Sequence, residues 1–371
     1  MEIAMFGQKR IPSREGGVEI VVEELSTRMA SMGHAVTCYN RRGHHVSGVQ
    51  FDAAQLNDYR GVRLKSVWTL DKKGLAAVTS SFVAAVCVAF GKARVVHIHA
   101  EGPAFMCWLP KLLGKRVVVT VHGLDWQREK WKAGFGAKYI HAGEKMAVRF
   151  ADEIIVLSRN VQNYFRDTYG RETVWIPNGV SVPEMTPAEQ ITQQWGLQKD
   201  SYILFLGRLV PEKGVHYLIE AYRHIRTDKK LVIAGGVSDS DGYAQMLKDL
   251  AKDAPDILFT GFVQGQTLKE LYSNAYLYVL PSDVEGMPLS LLEAMSYGNC
   301  CLVSDIAECK EVVEDRAVLF EKGNWPDLAA KLQKLCEEPE TVWQLRKNAQ
   351  QFICGKYNWD DVTRKTLELY E

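Results

Sequence analysis

Short apolar runs recur along the first half of the chain at 3–6, 35–39, 62–67, 95–99, 117–121, 154–157 and 174–176, and each predicts a strand. Stretches with helical spacing separate several of them. In the clearest, Val18, Val21, Val22, Leu25 and Met29 share one helical face, and Gly33 ends the pattern. Apolar strands alternating with helices predict a parallel sheet covered by helices. Pro177-Asn178-Gly179 closes this series, and 182–199 reads as a linker. The alternation then restarts with strand-like runs at 202–206, 231–234, 257–259, 277–280 and 301–304. Helical runs follow Gly214, Asp241, Gln266, Pro288 and Trp325, so a second open α/β sheet is expected. The last segment, 340–370, is helical and carries Trp343, Phe352, Tyr357 and Trp359, whose rings need a surface to bury against.

These patterns predict an α/β fold of two Rossmann-like domains facing across a cleft. The expected boundaries are 1–180 and 181–355, with 356–371 a terminal helix returning to the first domain. Ligands of open α/β sheets bind beyond the carboxyl ends of the strands, so the chemistry is expected in strand-to-helix loops of both halves. The apolar stretch 75–90 is short for a bilayer and contains Thr79, Ser80 and Ser81; it reads as a buried helix packed on the sheet.

Composition is that of a soluble globular protein, 47% apolar and 24% charged, which argues against disorder. Zero net charge conceals an asymmetry. Residues 1–180 carry 25 Lys and Arg against 16 Asp and Glu, whereas 181–371 carry 20 against 29. The basic half either meets an anionic acceptor or membrane surface, or differs only in its solvated faces. Eight scattered cysteines without a CxxC read as reduced core thiols. A strand-like run directly after Glu2 leaves no room for a signal peptide, so a cytoplasmic location is expected.

Two segments of the second half concentrate the chemistry. In Gly207-Arg208-Leu209-Val210-Pro211-Glu212-Lys213-Gly214, Arg208 and Lys213 leave a strand's carboxyl end ahead of a helix. Two cations there can neutralise a diphosphate without metal; the plainer alternative is a solvated basic loop. In Glu285-Gly286-Met287-Pro288-Leu289-Ser290-Leu291-Leu292-Glu293, a strand leads into a helix start. The amides of Leu289 and Ser290 can cradle a phosphate at the positive helix end. Glu293, one turn inside, can accept hydrogen bonds from ribose hydroxyls, and Glu285 can hold hydroxyls of a transferred sugar. Two surface carboxylates flanking a helix start are the alternative.

Together these segments resemble the retaining GT-B glycosyltransferases of family GT4: 207–214 looks like that family's basic loop and 285–293 like its E-x7-E motif. The resemblance spans the whole chain and is stronger in the second half. It implies that Arg208 and Lys213 bind a donor diphosphate, Glu285 the donor sugar and Glu293 the ribose. Gly207 belongs to the same loop. Met287 departs mildly from the family's usual residue, where backbone is what counts. Glu15-Gly16-Gly17 resembles the family's glycine loop, with Gly16 and Gly17 meeting donor phosphates or acceptor; a plain turn is the alternative. Phe262, in Gly261-Phe262-Val263, resembles the wall beside the base, or is a core aromatic. His122 implies a contact near the reacting carbon. The run from His122 through Asp125, Trp126 and Trp131 looks like a subgroup described as rhamnosyltransferases of cell-surface polysaccharide synthesis, with Asp125 and Trp126 on the acceptor side. The tryptophans either stack on sugars or anchor their loop.

The resemblance implies retaining, metal-independent hexosyl transfer from a nucleotide-diphosphate sugar to a saccharide or lipid-linked saccharide. No cofactor, no metal and no nucleic-acid partner are expected, and a peripheral contact at the inner face of the membrane is. Asp239-Ser240-Asp241 forms a DxD that reads as a loop and helix cap. A phosphate-dependent sugar phosphorylase and a non-catalytic nucleotide-sugar-binding protein are the rival classes. A nicotinamide oxidoreductase is disfavoured by the missing GxGxxG.

Overall fold

A computed structural model describes residues 1–52, 56–70, 72, 74–127, 135–236 and 241–371. The chain divides into two units, Met1–Asn178 with Trp359–Glu371, and Gly179–Asn358. In the first, β1 (Glu2–Phe6), β2 (Ala35–Arg41), β3 (Asp58–Tyr59), β4 (Val62–Val67), β5 (Val95–His99), β6 (Arg116–Val121), β7 (Glu153–Val156) and β8 (Val174–Trp175) form an eight-stranded sheet. Its order is β3-β4-β2-β1-β5-β6-β7-β8, and every pairing except β3–β4 is parallel. The central strands are largely apolar because helices pack on them, with Val96, Val117, Val119 and Ile154 fully buried, whereas β4 exposes Arg63 and Lys65. Each such side chain contributes roughly 1.5–3 kcal/mol relative to exposure.

In the second unit β9 (Tyr202–Leu206), β10 (Lys230–Ala234), β11 (Ile257–Gly261), β12 (Leu277–Leu280), β13 (Cys301–Ser304) and β14 (Val318–Phe320) form a six-stranded parallel sheet. Its order, β11-β10-β9-β12-β13-β14, reverses direction between β9 and β12, the switch point at which such sheets bind ligands. Both units are therefore Rossmann-like.

Several expectations need correction. Residues 182–199 are not a free linker: they carry the helix Gln190–Trp195, and buried Glu270 accepts the Glu189 and Ile191 amides at 2.9 and 3.1 Å. Only the last turns of 340–370 return to the first unit. There Arg28 pairs with Asp360 at 2.9 Å and Arg116 Nε donates to the Leu369 carbonyl at 2.7 Å. Tyr357 and Trp359 are buried as expected, but Trp343 stays exposed. Cys87 is exposed, so not every thiol belongs to the core.

The apolar helix Leu75–Ala89 is only half-buried. Its sheet side is made of small residues, Ser80, Ser81, Ala84, Ala85, Val88 and Ala89, while Leu75 and Phe82 face outward. No helix among the described residues is long and apolar enough to cross a membrane.

Candidate active site

At the switch point of the second unit, β9 gives way through Gly207 to Arg208, which is exposed. The chain then makes a single 3-10 turn, Pro211–Lys213, and Gly214 takes φ +64°. A Cβ at Gly214 would stand 2.0 Å from the Pro281 carbonyl, so only glycine lets the loop run against the end of β12. That contact brings the two sequence motifs together. Lys213 Nζ meets Glu285 Oε1 at 2.5 Å, both side chains largely buried, and Ser282 Oγ donates to the same carboxylate oxygen at 2.7 Å. The loop is held further by the Asp283 amide bonding to the Glu212 carbonyl at 2.8 Å.

Beyond this loop Gly286, Met287 and Pro288 are buried, and Pro288 caps the helix Leu289–Ser296. The amides of Leu291 and Leu292 bond to the Pro288 carbonyl at 3.1 and 3.2 Å, while those of Leu289 and Ser290 belong to the opening turn, where helix geometry supplies no carbonyl. Behind the turn, Tyr278 OH and Ser290 Oγ lie 2.8 Å apart. Tyr272 OH donates to Glu293 Oε2 at 3.2 Å, fixing a carboxylate one turn inside the helix. Burial first, then the Glu293 charge, pushes the Tyr272 phenol well up, so it stays a donor. Phe262, just past β11, is half-buried.

The first unit presents a different set at the ends of β1, β5 and β6. Gly16 caps the helix Gly17–Ser31, and Glu15 beside it accepts the Val46 amide at 2.8 Å. His122 follows β6, and its Nε2 lies 3.1 Å from His99 Nδ1. His97, on the same face of β5 as His99, bridges Tyr370 OH and Thr120 Oγ1, each at 2.6 Å. Burial lowers both strand histidines, His97 to about 3, so they are neutral imidazoles.

Between them and the following helix, Ala100 turns the chain at φ +78°, a strained value for a residue with a side chain. The turn directs Glu101 into the interior, where Oε2 accepts the Asp125 amide at 2.9 Å. Burial, then the charges of Asp125 and Glu144, raise Glu101 well above the carboxylate range, and a hydrogen bond to Glu144 adds to the shift. Glu101 is therefore the protonated partner of a carboxyl pair. Glu144, itself buried, takes the hydroxyls of Tyr164, at 2.8 Å, and Tyr169. A Cβ at Gly143 would meet the Glu101 carbonyl at 2.0 Å, which is how the helix Phe135–Phe150 comes this close.

Trp126 stacks on His141, ring centroids 5.0 Å apart, and packs against the core, so its packing favours the loop-anchoring role. Trp131, and Asp239 and Ser240 of the DxD, lie outside the described residues.

Sequence reasoning missed His97, His99, Glu101 and Glu144. The alternation His97-Ile98-His99 was the available signal, since period two puts both imidazoles on one face.

Two family descriptions match the chain: "Glycosyl transferases group 1" over residues 187–352 and "Glycosyltransferase Family 4" over 15–183. Among curated relatives, an uncharacterized glycosyltransferase of Methanocaldococcus jannaschii is 26% identical, covering 100% of this chain and 98% of that protein. The α-maltose-1-phosphate synthase of Mycolicibacterium smegmatis is 26% identical over 75% of this chain and 79% of that protein. Among solved structures, sucrose-phosphate synthase of Thermosynechococcus elongatus superimposes with a TM-score of 0.85 at 20% identity, covering 100% and 98% of the two chains. HepE of Anabaena in complex with UDP-glucose gives 0.81 at 18% identity, covering 99% and 98%. With two Rossmann-like units, a motif pair at the switch point of the second, and family matches across both, the chain is a group 1 glycosyltransferase of family GT4, with the GT-B fold.

Proposed function

We propose that the protein transfers a hexosyl group from a nucleotide-diphosphate sugar to a saccharide or lipid-linked saccharide, with retention and without a metal. The observation that carries the proposal is the Lys213–Glu285 pair beside the opening turn of Leu289–Ser296 at the ends of β9 and β12. A cation and a helix amino terminus suit a diphosphate, and a carboxylate next to them suits sugar hydroxyls. Arg208 adds a second cation, and Glu293, oriented by Tyr272, takes the ribose hydroxyls. Gly207 and Phe262 flank the nucleotide, Met287 and Pro288 shape the turn, and Gly16 and Gly17 offer amides to phosphate or acceptor.

In the reaction the bond from the anomeric carbon to the diphosphate breaks through an oxocarbenium-like state. Arg208, Lys213 and the Leu289 and Ser290 amides stabilise charge on the departing diphosphate. The acceptor oxygen bonds to the same face of the anomeric carbon, and its proton passes to the departing phosphate oxygen. His122 contacts the sugar near that carbon, with its ring oriented by neutral His99. Asp125, whose amide is fixed by Glu101, faces the acceptor.

The run beginning at His122 supports a rhamnosyl donor and an acceptor of cell-surface polysaccharide synthesis. A cytoplasmic enzyme working at the inner membrane face fits such an acceptor. Anabaena HepE forms complexes with UDP and with UDP-glucose, so a UDP sugar is the first donor to try. A thermal-shift screen with UDP, GDP, dTDP and ADP sugars tests the donor, because a ligand that binds only the folded chain raises its melting temperature. Stabilisation by one series is expected. No shift with any series, or transfer that collapses in EDTA, overturns the reading.

A further inference from the structure

A surface helix normally turns its apolar face inward and its charged face to water. The helix Leu75–Ala89 does the reverse. It contains no charged residue, and the side chains facing the sheet are serines, alanines and one valine. Its large side chains point out: Phe82 is 50% exposed, and Phe90, just past its end, is 76% exposed. The neighbouring helix Trp108–Leu112 packs beside it and ends in two exposed leucines, Leu112 at 68% and Leu113. Lys115 Nζ donates to the Gly91 carbonyl at 2.7 Å, so the ends of both helices, with Phe90 and the leucine pair, lie together. The residues form one apolar face where isolated exposed apolar side chains would need no explanation.

The charge around this face is predominantly positive. From 71 to 116 the sequence carries seven Lys and Arg against two carboxylates, Asp71 and the buried Glu101. Lys92 and Arg94 are exposed at its rim. Lys111 and Arg116 are partly offset by Asp152 and Glu153, and Lys115 bonds to the Gly91 carbonyl. Apolar side chains that insert, ringed by cations that stay at headgroup level, match an anionic bilayer surface. A two-fold contact between copies would set two basic rims against each other.

We infer that the outer face of Leu75–Ala89, with Phe90, Leu112 and Leu113, docks the protein on the surface of an anionic lipid bilayer. The inference rests on the membrane contact of the preceding section, not on its donor chemistry, and gives that contact a place.

The test is sedimentation of the full chain with phosphatidylcholine vesicles, with and without phosphatidylglycerol. Binding is expected with phosphatidylglycerol at low salt, weakening as salt screens the rim. The double variant Phe90→Glu, Leu112→Glu should bind at least about tenfold more weakly, since both changes put charge on inserting positions. Both positions are exposed, so its circular dichroism and melting temperature should match the unaltered chain. Lys92→Glu, Arg94→Glu should lose the salt-sensitive share. An unaltered chain that stays in the supernatant with phosphatidylglycerol vesicles overturns the inference, as does undiminished binding by the Phe90, Leu112 variant. A dimer in gel filtration that this variant abolishes would assign the face to a second copy and overturn it equally. A nucleotide-sugar thermal shift on the same samples reports the donor reading separately.

Discussion

At the ends of β5 and β6 buried polar side chains are pushed toward their neutral forms, His97 and His99 by burial and Glu101 by burial and then the charges of Asp125 and Glu144. At the ends of β9 and β12 a full ion pair, Lys213 with Glu285, sits at a helix amino terminus. The same architecture thus carries two kinds of polarity. Neutral groups that donate and accept suit hydroxyls and lose little when desolvated. Fixed charges suit a diphosphate whose charge grows as it departs, and they act most strongly where water is excluded. On the proposed reading, the charged phosphoryl chemistry falls to the second unit and positioning to the first.

The largest test of that contrast is Lys213→Ala. Removing a preorganised group that stabilises transition-state charge costs about 10²–10³ in turnover. Transfer should fall by at least that factor. Glu285 keeps Ser282 as a donor but loses its cation, so the melting temperature should also drop, and circular dichroism at the assay temperature shows that the chain tested is folded. Near-normal kcat would detach the ion pair from the chemistry.

A smaller effect, on stability, is expected from the carboxyl pair. Glu101→Ala strands the Asp125 amide and Glu144 in the interior and should cost about 1–3 kcal/mol. Glu101→Gln should cost much less, because an amide both accepts from Asp125 N–H and donates to Glu144, as the protonated acid does. The pH dependence gives the sign. A carboxyl whose folded pKa is raised contributes stability that is complete below its ordinary value of 4.5 and is lost as pH rises through the folded value. The Gln variant should therefore gain on the unaltered chain as pH rises above 4.5, read as the difference in melting temperature. Parallel curves would show that Glu101 is ionised at all pH values tested.

What was legible in the sequence follows the same division. Strands 95–99, 202–206, 277–280 and 301–304 end where expected, since buried parallel strands are mostly apolar from end to end, and 62–67 does so through its partly alternating pattern. The two-residue β3 and the three-residue β14 are too short to show a period. The loop 207–214 and the turn 285–293 were visible because their residues are contiguous and their chemistry is local. The Glu101–Glu144 pair was not, because a helix and a strand end bring it together across the fold. The outward face of Leu75–Ala89 was missed for another reason: an uncharged apolar run reads as buried on all sides, and only packing shows that its small residues face the sheet.

The smallest effect belongs to His97. A neutral imidazole has one donor and one acceptor, and here each nitrogen has one hydroxyl partner, Tyr370 OH at Nδ1 and Thr120 Oγ1 at Nε2. Tyr370→Phe keeps the buried ring and removes one bond, so it should cost about 1 kcal/mol. Thr120→Val should cost a similar amount. The two losses should not add, because either partner alone can fix the tautomer to which the other is matched, and a double-mutant cycle by thermal or urea unfolding measures the coupling. Additive losses would mean that the two hydrogen bonds contribute independently and that neither partner fixes the tautomer for the other. The pH dependence separates the cases again: with its pKa lowered to about 3, His97 contributes stability above 6.5 that is lost as pH falls toward 3. Any coupling seen in the cycle should persist down this interval and fade only near pH 3, where protonation of the folded ring turns both nitrogens into donors.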